Sequence, residues 1–242
     1  MEIASVKIPP FLPSVSMGQI RAILFDLDNT LVDFISMKEA SCRAAAAAMV
    51  ASGLRMKEAE AYERLITTYF AVGIESDNAF SEFLKNVGQF DHKILAAAIN
   101  AYLDAKNKCL KPYPNVKPVL KKLQRRGIFL SIVTDAPKTK AYQRLLSMGI
   151  EPYFKFVVGY EDTSNPKNTG LPLLMALEML RKELSGITNG EVLMVGDSME
   201  RDLVPAKKLG LKTALSKYGQ KIAEAGAPDY ELMDIKDLEG IL

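Results

Sequence analysis

Beyond Lys111 the chain alternates between two kinds of segment. Val116 to Arg126 has helical spacing and stops at Gly127, and Ile128 to Val133 is a short apolar strand. Thr139 to Met148 is helical up to Gly149, and Phe154 to Val158 is a strand. Leu171 to Leu184 is a helix and Val192 to Val195 a strand. Arg201 to Leu209 is a helix closed by Gly210, followed by the strand Leu211 to Leu215. Short strands separated by helices of about ten to fifteen residues give a parallel sheet with helices on both faces. This is the doubly wound α/β class, and few other architectures accept such a pattern.

One strand of that sheet comes much earlier. In Ile20 to Val32, reading IRAILFDLDNTLV, an apolar run ends in Asp26 and Asp28. Such a run suits a strand buried on both faces. In an extended chain the two carboxylates point the same way and repel each other. A bound cation, a shared proton or a basic neighbour must offset that. A strand end followed by a polar turn would also give this pattern.

Between this strand and Pro112 the sequence reads as helix. Ser36 to Gly53 carries the run Ala44 to Ala48, and Met56 to Phe70, Asp77 to Val87 and Asp91 to Cys109 follow. Ser81 and Asp91 sit where helix starts can be capped. KPYPNVKP, with Pro112, Pro114 and Pro118, marks a boundary. The expected organisation is an irregular lead-in over 1–19, a core made of 20–33 and 111–242, and a helical cap over 34–110. Both junctions of the cap fall near Asp26 and Asp28, so the cap would lie over them, with hinges near Asp33 to Ser36 and Lys111 to Asn115.

The balance of 48% hydrophobic and 25% charged residues is ordinary for a globular protein. A net charge of +2 gives no field that favours nucleic acid or an anionic membrane. No apolar run reaches the ~20 residues of a membrane span. MEIASVKIPPFLPSVSMG lacks the basic and apolar regions of a secretory signal, and Pro9, Pro10 and Pro13 make it an irregular lead-in. Two cysteines, Cys42 and Cys109, build no disulfide framework. They are expected as reduced, small, buried apolar groups in a cytoplasmic protein.

Later strands also end in polar residues: Thr134-Asp135, the loop Gly159 to Gly170 with Lys167, and Gly196-Asp197-Ser198, with Asp202 five residues after Asp197. In an open parallel sheet these ends share one edge with Asp26 and Asp28, and ligands bind there. Clustered carboxylates suit a hard cation such as Mg2+, which takes few protein carboxylates and leaves room for a substrate phosphate. A cation, a lysine and a threonine together receive a phosphoryl group well. A carboxylate can attack phosphorus and form an aspartyl-phosphate. A second carboxyl nearby can pass protons.

Asp26-Leu27-Asp28-Asn29-Thr30-Leu31, then Thr134, Lys167, and Gly196-Asp197 with Asp202, resemble the motifs of the haloacid dehalogenase-like (HAD) hydrolase superfamily. The helical insertion resembles the cap of its phosphoglycolate phosphatase-like branch. The resemblance runs from about Ile20 to about Tyr230. It implies a Rossmann-like core and a Mg2+-dependent phosphatase acting on a small phosphorylated metabolite. Asp26 would be the nucleophile and Asp28 the general acid/base. Thr134 and the backbone N–H of Asp135 would bind the phosphoryl oxygens, and Lys167 would neutralise charge. Asp26, the backbone carbonyl of Asp28, and Asp197 would hold the metal, with Asp202 in support, and Gly196 would allow close backbone approach. The chain departs from the branch in its order Pro166-Lys167, where relatives carry Lys-Pro. Lys167 is assigned because Lys155 falls in a strand and Lys182 well inside a helix.

Plainer roles compete at several positions. Asp202 could cap a helix, and Thr134 could bond to backbone. Asp135 is expected to matter through its amide more than its side chain. His92, the one histidine, is expected on the surface. Tyr62, Tyr69, Phe70, Phe80 and Phe83 are expected mostly as packing, with one or two facing substrate. Lys106, Lys108 and Lys111 form a solvated face. Alternatives to the phosphatase are a phosphomutase, a haloacid dehalogenase (disfavoured by Asp28) and a silent binding module. The expected protein is a monomer or homodimer with no nucleic-acid or membrane partner.

Overall fold

The computed structural model describes residues 19–242. The expected lead-in lies outside the described residues except for Gln19, as do Pro9, Pro10 and Pro13. Six strands form one parallel sheet. They are β1 (Ala22–Phe25), β2 (Phe129–Val133), β3 (Val157–Val158), β4 (Val192–Gly196), β5 (Lys212–Ser216) and β6 (Tyr230–Leu232). Their order across the sheet is β3-β2-β1-β4-β5-β6, so β1 is central. Phe25 stands level with Ile132 of β2 and Val195 of β4, which brings three strand ends together.

Helices α1 (Phe34–Ala51), α2 (Glu58–Val72), α3 (Ala79–Asn86) and α4 (His92–Cys109) follow β1. The helices of the core are α5 (Val116–Arg125), α6 (Lys138–Met148), α7 (Tyr160–Thr163), α8 (Leu171–Glu183), α9 (Val204–Lys208) and α10 (Leu238–Ile241). The pleat of β1 sorts its side chains between two hydrophobic layers. Ile23 and Phe25 pack with α5, α6 and α10, while Ala22 and Leu24 pack with α8 and α9. The fold is the expected doubly wound α/β class.

The helical unit has its own core, which includes Ala45, Ala46, Met49, Phe83 and Ala98. Small alanines on α1 let α4 approach closely, which is the use of the alanine run. Asp33 caps α1 by accepting from Ser36 N at 3.1 Å, and Asp91 caps α4 by accepting from Lys93 N and Ile94 N. Ser81 lies inside α3 and does not cap it. The two ends of the unit are tied together: Val32 bridges to Pro112, and Tyr113 N donates to Leu31 O at 2.9 Å.

The structure corrects several sequence expectations. β3 is only two residues long, Val157–Val158 paired with Ile132 and Val133, although ahead of it Lys155 N still donates to Leu130 O at 2.9 Å and Phe156 O accepts from Ile132 N at 3.1 Å. Lys155 therefore lies before the strand and not in it. Residues Met199–Leu203 form a π turn ahead of α9, where an α-helix was expected from Arg201. Pro205 has no N–H to close an α turn onto Arg201, and Leu203 N and Val204 N reach back five residues instead. β6 was not expected, since YEL has no apolar run. Cys42 is buried, but Cys109 is exposed and fills no core position. Among the described residues, no helix is long and apolar enough to cross a membrane.

Candidate active site

Asp26 leaves the buried end of β1 and meets two partners. Thr30 Oγ1 donates to its Oδ2 at 2.9 Å, and the Lys167 ammonium pairs with Oδ1. Lys167 is 1% exposed and also pairs with Asp202 Oδ1 at 2.5 Å. The 3-10 turn Lys167–Thr169 presents this lysine, and Asp135 Oδ1 anchors the turn by accepting from Lys167 N at 2.7 Å. The side chain of Asp135 thus has a structural task that the sequence reading left to its amide. Burial disfavours the Lys167 ammonium, but Asp202 and Asp26 outweigh that and hold its pKa above the usual lysine range.

Asp197 and Asp202 come from the end of β4 and the π turn. Asp202 is fully buried and accepts from Ser198 N at 3.1 Å. Any side chain on Gly196 would overlap the Asp202 carboxylate, so glycine is required there. Asp26, Asp197 and Asp202 each offer an oxygen, and these oxygens lie within 4.8 Å of one another. Burial, with Asp26 and Asp202 adding repulsion, pushes Asp197 up to about 7. Burial raises Asp202 to about 6 against the pull of Lys167. Three hard oxygens on partly neutralised acids fit a small divalent cation, which would favour their ionised forms.

Asp28 takes a different direction. The chain turns at Asn29, whose φ of 60° lies in the left-handed region that asparagine tolerates. Asp28 Oδ2 accepts from Arg144 Nη1 at 3.1 Å. Arg144, on α6 and 2% exposed, pairs also with Glu75 from the loop after α2. Burial pushes Asp28 up to about 7, with Arg144 opposing and Asp26 adding to the rise. The expected repulsion between Asp26 and Asp28 is thus met by two separate basic neighbours, Lys167 and Arg144. Sequence reasoning missed Arg144 and Glu75. A signal existed for Arg144: Ala141, Leu145 and Met148 form the buried stripe of α6, and Arg144 sits in phase with them.

Thr134 lies buried at the end of β2, and its Oγ1 accepts from Ala136 N at 3.1 Å, so the backbone-bonding role is present. Its hydroxyl hydrogen is left for another acceptor. A cavity of about 500 Å³ opens above these groups. Asp28, Asp135, Asp197 and Arg201 form its floor, and Phe34, Phe70 and Ile74 reach in from the helical unit. Of the aromatics considered, Phe70 alone lines this cavity, while Tyr69 and Phe80 line a second one of about 610 Å³. Lys106, expected in a solvated face, is half-buried in that second cavity. His92 is exposed, as expected.

A parallel six-stranded sheet with acidic groups gathered at its carboxyl edge is an open α/β scaffold with its ligand site at that edge. The family model "Haloacid dehalogenase-like hydrolase" matches residues 23–216, and the chain belongs to that family. A glyceraldehyde 3-phosphate phosphatase of Methanocaldococcus jannaschii is 30% identical over 226 residues, spanning 92% of this chain and 97% of its own. A phosphoglycolate phosphatase of Aquifex aeolicus is 28% identical over 218 residues, covering 90% and 94%. The crystal structure of a HAD phosphatase from Thermococcus onnurineus shares the fold, with a TM-score of 0.68, 24% identity, and 92% and 97% coverage.

Proposed function

We propose that this chain is a Mg2+-dependent phosphatase that hydrolyses a small phosphorylated metabolite through an aspartyl-phosphate on Asp26. The observation that carries the reading is the setting of Asp26, which shares Lys167 with Asp202 and stands within a cluster of three carboxylate oxygens. The phosphatase names of relatives that span nearly the whole chain support the same reaction class.

In this reading a carboxylate oxygen of Asp26 attacks phosphorus, and the bond from phosphorus to the ester oxygen breaks. Asp28, raised to about 7, gives its proton to the departing alcohol. A water then attacks the same phosphorus, Asp28 takes its proton back, and the bond to Asp26 breaks to release inorganic phosphate. Lys167 and the Thr134 hydroxyl hold the phosphoryl oxygens, and the Asp135 amide joins them. Asp26, Asp197, Asp202 and the backbone carbonyl of Asp28 would hold Mg2+, which supplies further charge stabilisation when bound. The helical unit acts as a cap over the core. We read the enzyme as cytoplasmic, in keeping with two unpaired thiols, and as a monomer or homodimer without nucleic-acid or membrane partners.

Phosphate release from an aryl phosphate with Mg2+, compared between wild type and Asp26→Asn, tests this. Turnover in wild type alone is the expected result. Equal turnover in both refutes the assignment of Asp26.

A further inference from the structure

The floor and the roof of the reaction cavity differ in chemistry. The floor carries the carboxylates and Arg201. The roof is largely apolar, with Phe34 and Ile35 from α1, Phe70 from α2 and Ile74 just beyond it; the loop after β5 adds Ile222 between Lys221 and Glu224, and Glu224 is taken up by Ser198 Oγ and the backbone N–H of Glu200. Phe70 is 74% and Ile222 75% exposed, far beyond what packing within the chain explains. Among the described residues, the one charged side chain that the helical unit brings to this cavity is Glu75, and Arg144 already engages it. Lys221 at the rim pairs with Asp33 at 2.8 Å, and Arg201 lies 3.4 Å from Asp197. Few free donors therefore face the place where the alcohol part of a phosphate ester would sit.

Size points the same way. About 500 Å³ equals the liquid volume of roughly seventeen waters at ~30 Å³ each. A phosphoryl group fills a small part of that. A polyhydroxylated alcohol placed in the remainder would lose water and meet mostly polar groups already engaged within the chain, whereas an apolar one would cover Phe70 and Ile222.

Resting on the phosphatase reading above, we propose that the preferred substrate is a phosphate monoester of an apolar alcohol, alkyl or aryl, whose hydrocarbon part lies against Phe34, Phe70, Ile74 and Ile222. The two relatives described above carry the names of small polar substrates, and some 30% identity leaves the walls of the cavity free to differ.

Binding of methyl- to hexylphosphonate to the Mg2+-loaded protein, measured by calorimetry, tests the wall without requiring turnover. Each methylene that is buried should tighten the dissociation constant by about fourfold until the cavity is full. In Phe70→Ala and in Ile222→Ala the step per methylene should shrink. A second arm compares kcat/KM for propyl phosphate and glyceraldehyde 3-phosphate, two three-carbon esters, and propyl phosphate should be the better substrate. A dissociation constant independent of chain length overturns the proposal. So does a full step in both variants, which would make these residues a seal between cap and core. Faster hydrolysis of glyceraldehyde 3-phosphate, or turnover without binding of any phosphonate, overturns it too. If the phosphonate series holds and no ester is hydrolysed, the phosphatase reading is what fails.

Discussion

Lys167→Met isolates the electrostatic centre of the site. The ammonium of Lys167 is 1% exposed and sits between Asp26 and Asp202, which are themselves 4% and 0% exposed. Methionine keeps most of the side-chain volume and removes the charge. Removing one partner of a buried ion pair costs about 3–5 kcal/mol, because the remaining charge is left uncompensated. Here two carboxylates are left, so the upper half of that range applies in metal-free protein at pH 8. In a chain of 242 residues each kcal/mol moves Tm by about 2–4 °C, giving a fall of roughly 8–20 °C. The cost should shrink at pH 5, where Asp202, already raised to about 6 by burial, takes up a proton. It should also shrink in Mg2+, which would supply the missing positive charge. Urea unfolding and thermal melts at pH 8 and pH 5, each with and without Mg2+, read all of this. A metal-free loss below about 1 kcal/mol at pH 8, within the range of an exposed ion pair, would refute the placing of Lys167 as the cation that holds this centre together.

Three further outcomes are expected. Arg144→Met strands Asp28 and Glu75 and should cost about 3–5 kcal/mol; most of it should return when Asp28→Asn and Glu75→Gln are added, and equal losses in single and triple variants would refute the pairing. Asp28, Asp197 and Asp202 are raised from 3.8 to about 7, 7 and 6, so the folded state binds more protons than the unfolded one between those values. Metal-free stability should therefore rise as pH falls from 8 to 5, while stabilisation by Mg2+, which needs ionised ligands, should decline below pH 7; a metal-free Tm that drops over that window would refute the shifts. Cys109 is exposed, whereas Cys42 is buried with its thiol pushed up to about 11, so a thiol reagent should find one cysteine in native protein and two in denaturant; two fast thiols in native protein would contradict the packing of α1.

Much of the fold was legible because its signals are local. Apolar strands, glycine stops after helices and the polar end of β1 each follow from neighbouring residues. Asp26, Asp197 and Asp202 could be gathered on paper because parallel strands bring their carboxyl ends to one edge. The failures share a cause as well. β6 is held by its register against β5 and by Asp229, which accepts from Thr213 N at 2.9 Å, and neither contact is local. The π turn at Met199–Leu203 answers to a proline two residues beyond it. Arg144 and Glu75 are 69 residues apart in sequence and meet only once the helical unit packs on α6. An arginine in phase with Ala141, Leu145 and Met148 was nevertheless a visible anomaly on an apolar stripe.

The two carboxylates of the first motif differ most in what holds them. Every partner of Asp26 belongs to the sheet domain: Thr30 from the turn after β1, and Lys167, itself fixed by Asp135 and Asp202. Asp28 depends on Arg144, and Arg144 is shared with Glu75 of the helical unit. Asp28 is also bridged to Val32, the residue that ties the two junctions of that unit together by its bridge to Pro112. A rotation of the helical unit about Val32 and Pro112 would withdraw Glu75 from Arg144 and so change the surroundings of Asp28. It would leave the contacts of Asp26 intact. A nucleophile benefits from a rigid setting, because attack needs a fixed distance and angle. A proton carrier that serves both the departing alcohol and the incoming water benefits from an environment that tracks opening and closure. Insertion of the helices directly after Val32, with Asp28 four residues before the break and Asp26 two residues further back, provides both in one short stretch of chain.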